Sequence, residues 1–209
     1  MRKLLLTLIC SVASAGAAMA QTSLADIQAA VAASSSELDQ VDAMLADTDP
    51  NRRLAALKLL IASGDPLFMK RAKEVGLLSS DPEMQKVAVA ATLDQGGPFR
   101  LEIDLSQLEE GSYLHKLIQD YDGSIDETAK LGRVTFSTLP FDEEKKCWPA
   151  SDGKLCAIIP TGAAYSLDEW QYGSGSLELQ PDGALTGTFN FNRNGFERVG
   201  APARIPLAE

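Results

Sequence analysis

The segment QGGPFRLEIDL, residues 95–105, decides the fold because two kinds of pattern meet in it. Its first four residues continue neither a helix nor a strand, since two glycines and a proline disfavour both. Apolar and polar residues then alternate as in a half-buried strand, and one face of that strand carries Phe99, Leu101, Ile103 and Leu105. The residues before the segment follow helical spacing instead. We therefore predict a helical domain over residues 21–95 and a β domain over residues 96–209.

The helical half opens with a stripe whose members recur at spacings of three and four residues, the pattern of an apolar seam along one long helix. Its members are Leu24, Ile27, Val31, Ser34, Leu38, Val41 and Leu45. The run Ser34-Ser35-Ser36 leaves open a break into two helices. Further on, aspartate precedes proline at the predicted starts of three shorter helices, where Asp49, Asp65 and Asp81 serve as caps.

Asp49-Pro50 and Asp81-Pro82 are 32 residues apart, and the segments that follow them align with Ala56 over Ala88. A fixed period of this kind is typical of stacked helical hairpins, each of which buries its apolar face against a neighbour. Residues 49–94 resemble the HEAT-like repeats of adaptor proteins, and the resemblance implies antiparallel hairpins. A small helical bundle explains the same pattern.

Residues 96–209 favour an antiparallel sheet with one short covering helix. The stripe of that helix consists of Leu114, Leu117, Ile118 and Tyr121. Strand patterns follow at 134–139, 155–160, 175–179, 184–192 and 196–205, and the last three are joined by turn sequences as in a meander. We predict the α+β class: helical hairpins, then a β-sandwich or a partly open barrel.

The first twenty residues have the layout of a secretory signal peptide, with Arg2 and Lys3 before an apolar run and Ala18-Met19-Ala20 at its end. We predict cleavage after Ala20 and a periplasmic or secreted protein without membrane insertion. The formal net charge is −10 for the whole chain. An acidic chain repels phosphate backbones, which excludes nucleic acid as an expected partner.

Cleavage removes Cys10 and leaves Cys147 and Cys156, nine positions apart around the turn sequence Asp152-Gly153. In an oxidising compartment this pairing predicts a structural disulfide. Redox sites favour a closer spacing, and zinc needs more ligands than this pair and one histidine supply. We expect no metal site and no cofactor.

Catalytic signatures are weak. His115 is the only histidine and lies on the flank of the predicted covering helix, without a nucleophile turn nearby. The acidic stretch 120–127 lacks the residue order of a calcium loop and is read as a turn. Paired carboxylates of a glycan hydrolase remain open, because their separation in space is not visible in a sequence.

Aromatic residues cluster between positions 148 and 172, and tyrosine and tryptophan suit sugar stacking or a protein anchor. The candidate ligand-binding residues are Trp148, Tyr165, Asp168, Glu169, Trp170 and Tyr172. Closure of one end of the β core explains the same rings. We predict a non-enzymatic binding or adaptor protein of the periplasm that recognises a protein or glycan through its β domain. The alternatives are a carboxylate-dependent envelope hydrolase and a purely structural envelope component.

Overall fold

The computed structural model describes residues 23–109, 112–168, 170, 173–191 and 199–208. The predicted leader lies outside these ranges. The chain divides into two compact units, Met1–Glu37 and Leu38–Glu209. Four helices come first: α1 Leu24–Leu45, α2 Pro50–Ala62, α3 Pro66–Leu77 and α4 Pro82–Asp94. Helix α1 runs without interruption through the three serines, so the alternative of two shorter helices is wrong.

Helices α2, α3 and α4 all begin with the predicted aspartate cap followed by proline. Oδ1 of Asp49, Asp65 and Asp81 accepts a hydrogen bond from a first-turn backbone N–H at 2.8, 2.9 and 3.0 Å. Proline suits the first helical position because its missing N–H has no partner within the helix there. Each cap therefore fixes where its helix begins.

Two apolar clusters are present in the described residues. The helical cluster contains Val41, Leu45, Leu57, Leu60, Ala72 and Met84. The second cluster fills the β region and also includes Leu77, Ala88, Val89 and Leu93 from α3 and α4. Helix α4 thus contributes to both clusters. That residues 96–209 fold as a separate domain stays a prediction.

The β region forms one antiparallel nine-stranded sheet in the order β2-β3-β1-β9-β8-β7-β6-β5-β4. Its strands are β1 Phe99–Asp104, β2 Ser124–Asp126, β3 Leu131–Phe136, β4 Trp148–Pro149, β5 Cys156–Thr161, β6 Ala164–Ser166, β7 Gly173–Leu179, β8 Ala184–Phe191 and β9 Val199–Pro206. Helix α5, Tyr113–Asp120, is the predicted covering helix, and it buries Leu114, Leu117 and Ile118. The α+β class is confirmed.

The predicted meander is confirmed, because β8 pairs with β7 along one side and with β9 along the other. The turn between β7 and β8 is held by Asp182, whose Oδ1 accepts the Ala184 N–H at 3.1 Å. Gly183 adopts a φ of +77° there, which glycine tolerates without strain. The predicted turn at 192–195 lies outside the described residues.

The sheet curls until its two ends meet over a short distance. Just beyond β3, Thr138 forms an isolated antiparallel bridge with Ala150, which follows β4. The backbone N–H of Leu139 donates to the carbonyl of Pro149 at 2.8 Å. Cys147, beside β4, is bonded to Cys156 at the start of β5. The predicted disulfide is confirmed, and the sheet has the form of a half-barrel.

Candidate functional site

An apolar cleft opens where the two ends of the curled sheet approach each other but do not pair. Its volume is about 250 Å³, and we call it the seam cleft. It is lined by Tyr121, Val134, Thr135, Phe136, Ala150, Leu155, Cys156, Ala157 and Trp170. One wall comes from β3 and the other from the β4–β5 hairpin. The cleft exists because β3 and β5, which are second and eighth in the sheet order, face each other across the curl.

Trp170 is the largest side chain of the cleft and is held by contacts on several sides. Its ring lies edge-on to the rings of Tyr121, Phe136 and Phe189, with centroids 5.3, 5.3 and 5.7 Å apart. Its Nε1–H donates to the carbonyl of Ala157 at 2.9 Å. The indole is therefore fixed in orientation, and its polar group is satisfied within the protein.

A gap in backbone pairing lies beside this tryptophan. Along β3, peptide groups point alternately to the two sides of the strand, and Lys130 C=O accepts from Leu105 N–H on the β1 side. The backbone N–H and C=O groups of odd-numbered residues in β3 therefore point away from β1. On that side, residues 131 and 133 pair with β2. Further along, the backbone N–H of Leu139 donates to the carbonyl of Pro149. Thr135 lies between these two patches, and no described strand pairs with it on that side.

Thr135 therefore presents an N–H and a C=O at the mouth of the cleft. The residue is exposed. Leu155 stands on the opposite wall with 49% of its surface exposed. Apolar surface and one open peptide group thus occur side by side.

Of the predicted ligand-binding residues, Trp170 lies in the seam cleft, but Trp148 and Tyr165 are buried in the β core. The two buried rings are 6.4 Å apart, and burial raises the pKa of the Tyr165 hydroxyl to about 12. Asp168 is exposed on the turn before Trp170. Glu169 and Tyr172 lie outside the described residues.

Sequence reasoning did not find the β3 wall of the cleft. Phe136 and Thr135 belong to a strand whose pattern was visible, but nothing local shows that the strand approaches the β4–β5 hairpin. The sequence places Tyr121 only on the stripe of the covering helix. Long-range closure of the sheet brings these residues together.

His115 has a partner that the sequence did not suggest. Its Nδ1 lies 2.7 Å from Oγ of Ser112, the residue at the start of α5. His115 is only 7% exposed, and the two residues are three positions apart on one turn. This part-buried contact lies within one turn of α5, and neither residue lines the seam cleft.

Within the acidic stretch 120–127, Asp126 holds a local turn. Oδ1 of Asp126 accepts the backbone N–H groups of Thr128 and Ala129 at 3.1 and 3.0 Å. Within the described ranges, no three metal-ligating side chains come together. Elsewhere, hydrogen bonds from backbone N–H groups lower the pKa of Asp104, Asp142 and Asp182. These carboxyl groups stay ionised and are poor proton donors at neutral pH.

A larger, more open groove of about 570 Å³ lies at one end of the helical cluster, with Arg53 and Arg71 in its lining. Both arginines are already engaged. Arg71 forms a two-point ion pair with Asp42, at 2.6 and 2.9 Å. Arg53 donates to the carbonyl of Asp47 at 2.8 Å and lies 3.8 Å from the Asp81 carboxylate. The charged groups of this groove are therefore already paired within the protein, and the seam cleft is the better candidate site.

Comparison with known protein families, with curated proteins and with solved structures gave no match. In the part of the chain that the structure describes, every helix is too short or too polar to cross a membrane.

Proposed function

We propose that this chain is an exported, periplasmic binding protein without catalytic activity, and that its β region holds an apolar side chain of a protein partner in the seam cleft. The observation that carries the proposal is the open peptide group of Thr135 beside an apolar cleft. A partner peptide offers both matching parts: a side chain for the cleft and a backbone N–H and C=O for Thr135.

The chemistry of the lining favours protein over glycan. Sugar recognition needs several polar groups aimed at hydroxyls in addition to an aromatic face. Tyr121 and Thr135 supply the hydroxyls of the described lining, and the indole N–H of Trp170 is used by Ala157. Apolar side chains make up most of the remaining surface, which suits an aliphatic or aromatic anchor.

The same lining argues against the hydrolase alternative. Glycoside hydrolysis requires a carboxylic acid whose pKa is raised, placed opposite a second carboxylate. The described wall of the seam cleft contains no aspartate or glutamate.

Site-specific photo-crosslinking in the producing cells tests the proposal. The full chain carries benzoylphenylalanine at Leu155, on the rim of the cleft, or at Leu67, a control position on α3 that is 40% exposed. We expect a protein adduct from position 155 and none of the same mass from position 67. Absence of an adduct at 155, equal adducts at both positions, or a carbohydrate adduct contradicts the proposal.

A pair of Thr135 variants distinguishes recognition of a peptide backbone from non-specific binding to the apolar cleft. Thr135→Pro removes the N–H that faces the gap and leaves the bonds to β1, so a strand edge tolerates it. Thr135→Ala keeps that N–H. We expect the 155 adduct to fall about tenfold in the proline variant and to persist in the alanine variant. Circular dichroism checks that both variants are folded.

A further inference from the structure

The two β3 residues on either side of Thr135 both line the seam cleft. Val134 belongs to the β core and Phe136 packs against it, whereas Thr135 between them is exposed. Side chains alternate between the two faces of a strand, so Val134 and Phe136 share the face on which the cleft lies. The open peptide group of Thr135 therefore has a fixed register relative to the apolar surface beside it.

The segments at the two ends of the gap show in which direction a partner strand fits. Strand β2 is antiparallel to β3, with Ser124 opposite Arg133. At the other end, Ala150 forms its antiparallel bridge with Thr138. A strand that continues this hydrogen-bond pattern between them is also antiparallel to β3. One residue of that strand then exchanges both backbone hydrogen bonds with Thr135.

This register determines which partner side chains reach the cleft. The residue paired with Thr135 points away from the cleft, as Thr135 itself does. Its two neighbours in the partner lie directly opposite Val134 and Phe136, at Cβ separations of about 4.5–5.5 Å. Two partner side chains, separated by one residue, therefore enter the seam cleft together.

The volume and the charge of the cleft limit which side chains these can be. The cleft measures about 250 Å³, and its described lining contains no charged side chain. An apolar cavity of about 150 Å³ holds one benzene molecule, so two aromatic rings exceed the space available. Two aliphatic side chains fit, and a charged side chain would lose its hydration without gaining a partner.

We propose that the seam cleft recognises an extended segment of the protein partner in which two aliphatic residues flank one central residue. The central residue pairs with the backbone of Thr135, and the two aliphatic side chains fill the cleft. This inference rests on the proposed function, because it specifies the partner segment that binds at the same site.

Titration of the purified full chain with capped peptides, followed by nuclear magnetic resonance, tests this inference. Gly-Val-Thr-Val-Gly has the proposed order. Gly-Val-Val-Thr-Gly has the same composition but places its valines on opposite faces, and Gly-Phe-Thr-Phe-Gly carries two rings. We expect the first peptide to bind with a dissociation constant of about 0.1–1 mM and the other two at least about tenfold more weakly.

The two tryptophans of the chain provide an internal control. Trp170 lines the cleft, so its indole N–H signal should shift when the peptide binds. Trp148, whose Nε1–H donates to Asp94, is not among the lining residues, and its signal should stay in place. The variant Trp170→Phe assigns the two signals.

Methylation of single peptide nitrogens tests the pairing with Thr135. A methyl group on the central threonine nitrogen of Gly-Val-Thr-Val-Gly removes the N–H that faces Thr135 and should weaken binding at least about tenfold. A methyl group on the nitrogen of the second valine is the matched control, because that N–H points away from β3. The control peptide should bind like the unmethylated one.

Equal affinity for the two valine orders overturns the inference, and so does equal weakening by the two methyl groups. Tighter binding of the phenylalanine peptide overturns the assignment of an aliphatic pair. A shift of the Trp148 signal in place of the Trp170 signal means that the peptide binds outside the seam cleft. If no peptide binds at up to about 10 mM, the inference is wrong. The adduct from position 155 then decides the proposed function separately, because it does not depend on the order of the partner's residues.

Discussion

The carboxylate of Asp94, at the end of α4, accepts a hydrogen bond from Nε1 of Trp148 at 2.8 Å. The same oxygen accepts the backbone N–H of Phe141 at 3.0 Å. One residue earlier, the Leu93 carbonyl accepts from Thr138 Oγ1 at 2.5 Å. The last turn of the helical half is thereby tied to the segment that closes the curled sheet, and the two halves of the sequence share polar contacts as well as a core.

Asp94→Ala should lower the free energy of unfolding by about 2 kcal/mol, because it leaves the N–H of a buried tryptophan without its charged acceptor. Urea unfolding at neutral pH measures the change. Asp94→Asn keeps an acceptor oxygen and should cost less. Asp168→Ala, at an exposed turn position, is the control and should change stability by less than about 0.5 kcal/mol. If Asp94→Ala costs no more than the control, the contact contributes nothing to folding.

Deletion of residues 1–95 tests the predicted domain boundary. Leu77, Val89 and Leu93 are at most 1% exposed and belong to the same cluster as the β core. Their removal uncovers that core, so we expect a fragment of residues 96–209 to unfold at lower urea concentration than the full chain. A fragment with the same unfolding midpoint as the full chain would establish an independent β domain.

Local chemistry accounts for what the sequence predicts correctly. Asp-Pro caps at 49, 65 and 81 start helices because the cap hydrogen bond needs only neighbouring residues. Phe99–Leu105 forms a strand because alternation fixes one buried face. The sequence does not predict the short strands β2, β4 and β6, since two or three residues carry no period. The residue type of Trp170 predicts a binding role, but the cleft around it depends on the curvature of the sheet, and the gap at Thr135 depends on register between distant strands.

The α1 stripe also shows that a spacing pattern predicts a helix but not which of its apolar residues are buried. Its spacing predicts a seam along the whole helix, and the helix is there. Val41 and Leu45 are buried because they belong to the helical cluster, and the spacing of α1 alone does not show which residues that cluster takes in. Val41 is buried whereas Val31 is exposed, although both belong to one stripe.

Loss of the disulfide should destabilise the protein by about 2.5 kcal/mol, the chain-entropy value for closing a loop of nine residues. The comparison is between the unaltered protein and the double variant Cys147→Ser/Cys156→Ser in urea. The unaltered protein under reducing conditions should match the variant. Equal free energies of unfolding with and without the disulfide would show that the bond gives no net stabilisation by restricting the unfolded chain.

Ionisation of the Tyr165 hydroxyl should lower the free energy of unfolding at alkaline pH. Its pKa in the folded protein is about 12, above the ordinary value of 10, so the folded state keeps the proton more strongly than the unfolded state. The contribution is complete below about pH 10 and is lost as the pH rises through 12, to a limit of about 3 kcal/mol. Tyr165→Phe should flatten this loss. Unfolding of the unaltered protein and of this variant in urea at about pH 8 and about pH 11 measures the difference.

Gly76→Ala should destabilise the protein although alanine is the better helix former. In an exposed helix this change would stabilise by about 1 kcal/mol. Here a Cβ on Gly76 would meet the Ala88 Cβ at 2.6 Å and the backbone oxygen of Met84 at 3.3 Å, so α3 and α4 would have to separate. Overpacking of this kind costs about 1–3 kcal/mol and outweighs the helical gain.

A double-mutant cycle with Ala88→Gly identifies the cause. Ala88→Gly removes the closest atom, so Gly76→Ala should cost at least about 1 kcal/mol less in that background than in the unaltered protein. Urea unfolding of the four proteins gives the coupling energy. The remaining neighbour, Leu57 Cδ1 at 3.2 Å, is the end of a flexible side chain that moves more easily than backbone. An equal cost in both backgrounds would mean that the contact between the two helices does not decide the effect, and a stabilising Gly76→Ala would mean that α3 can move away from α4 without loss.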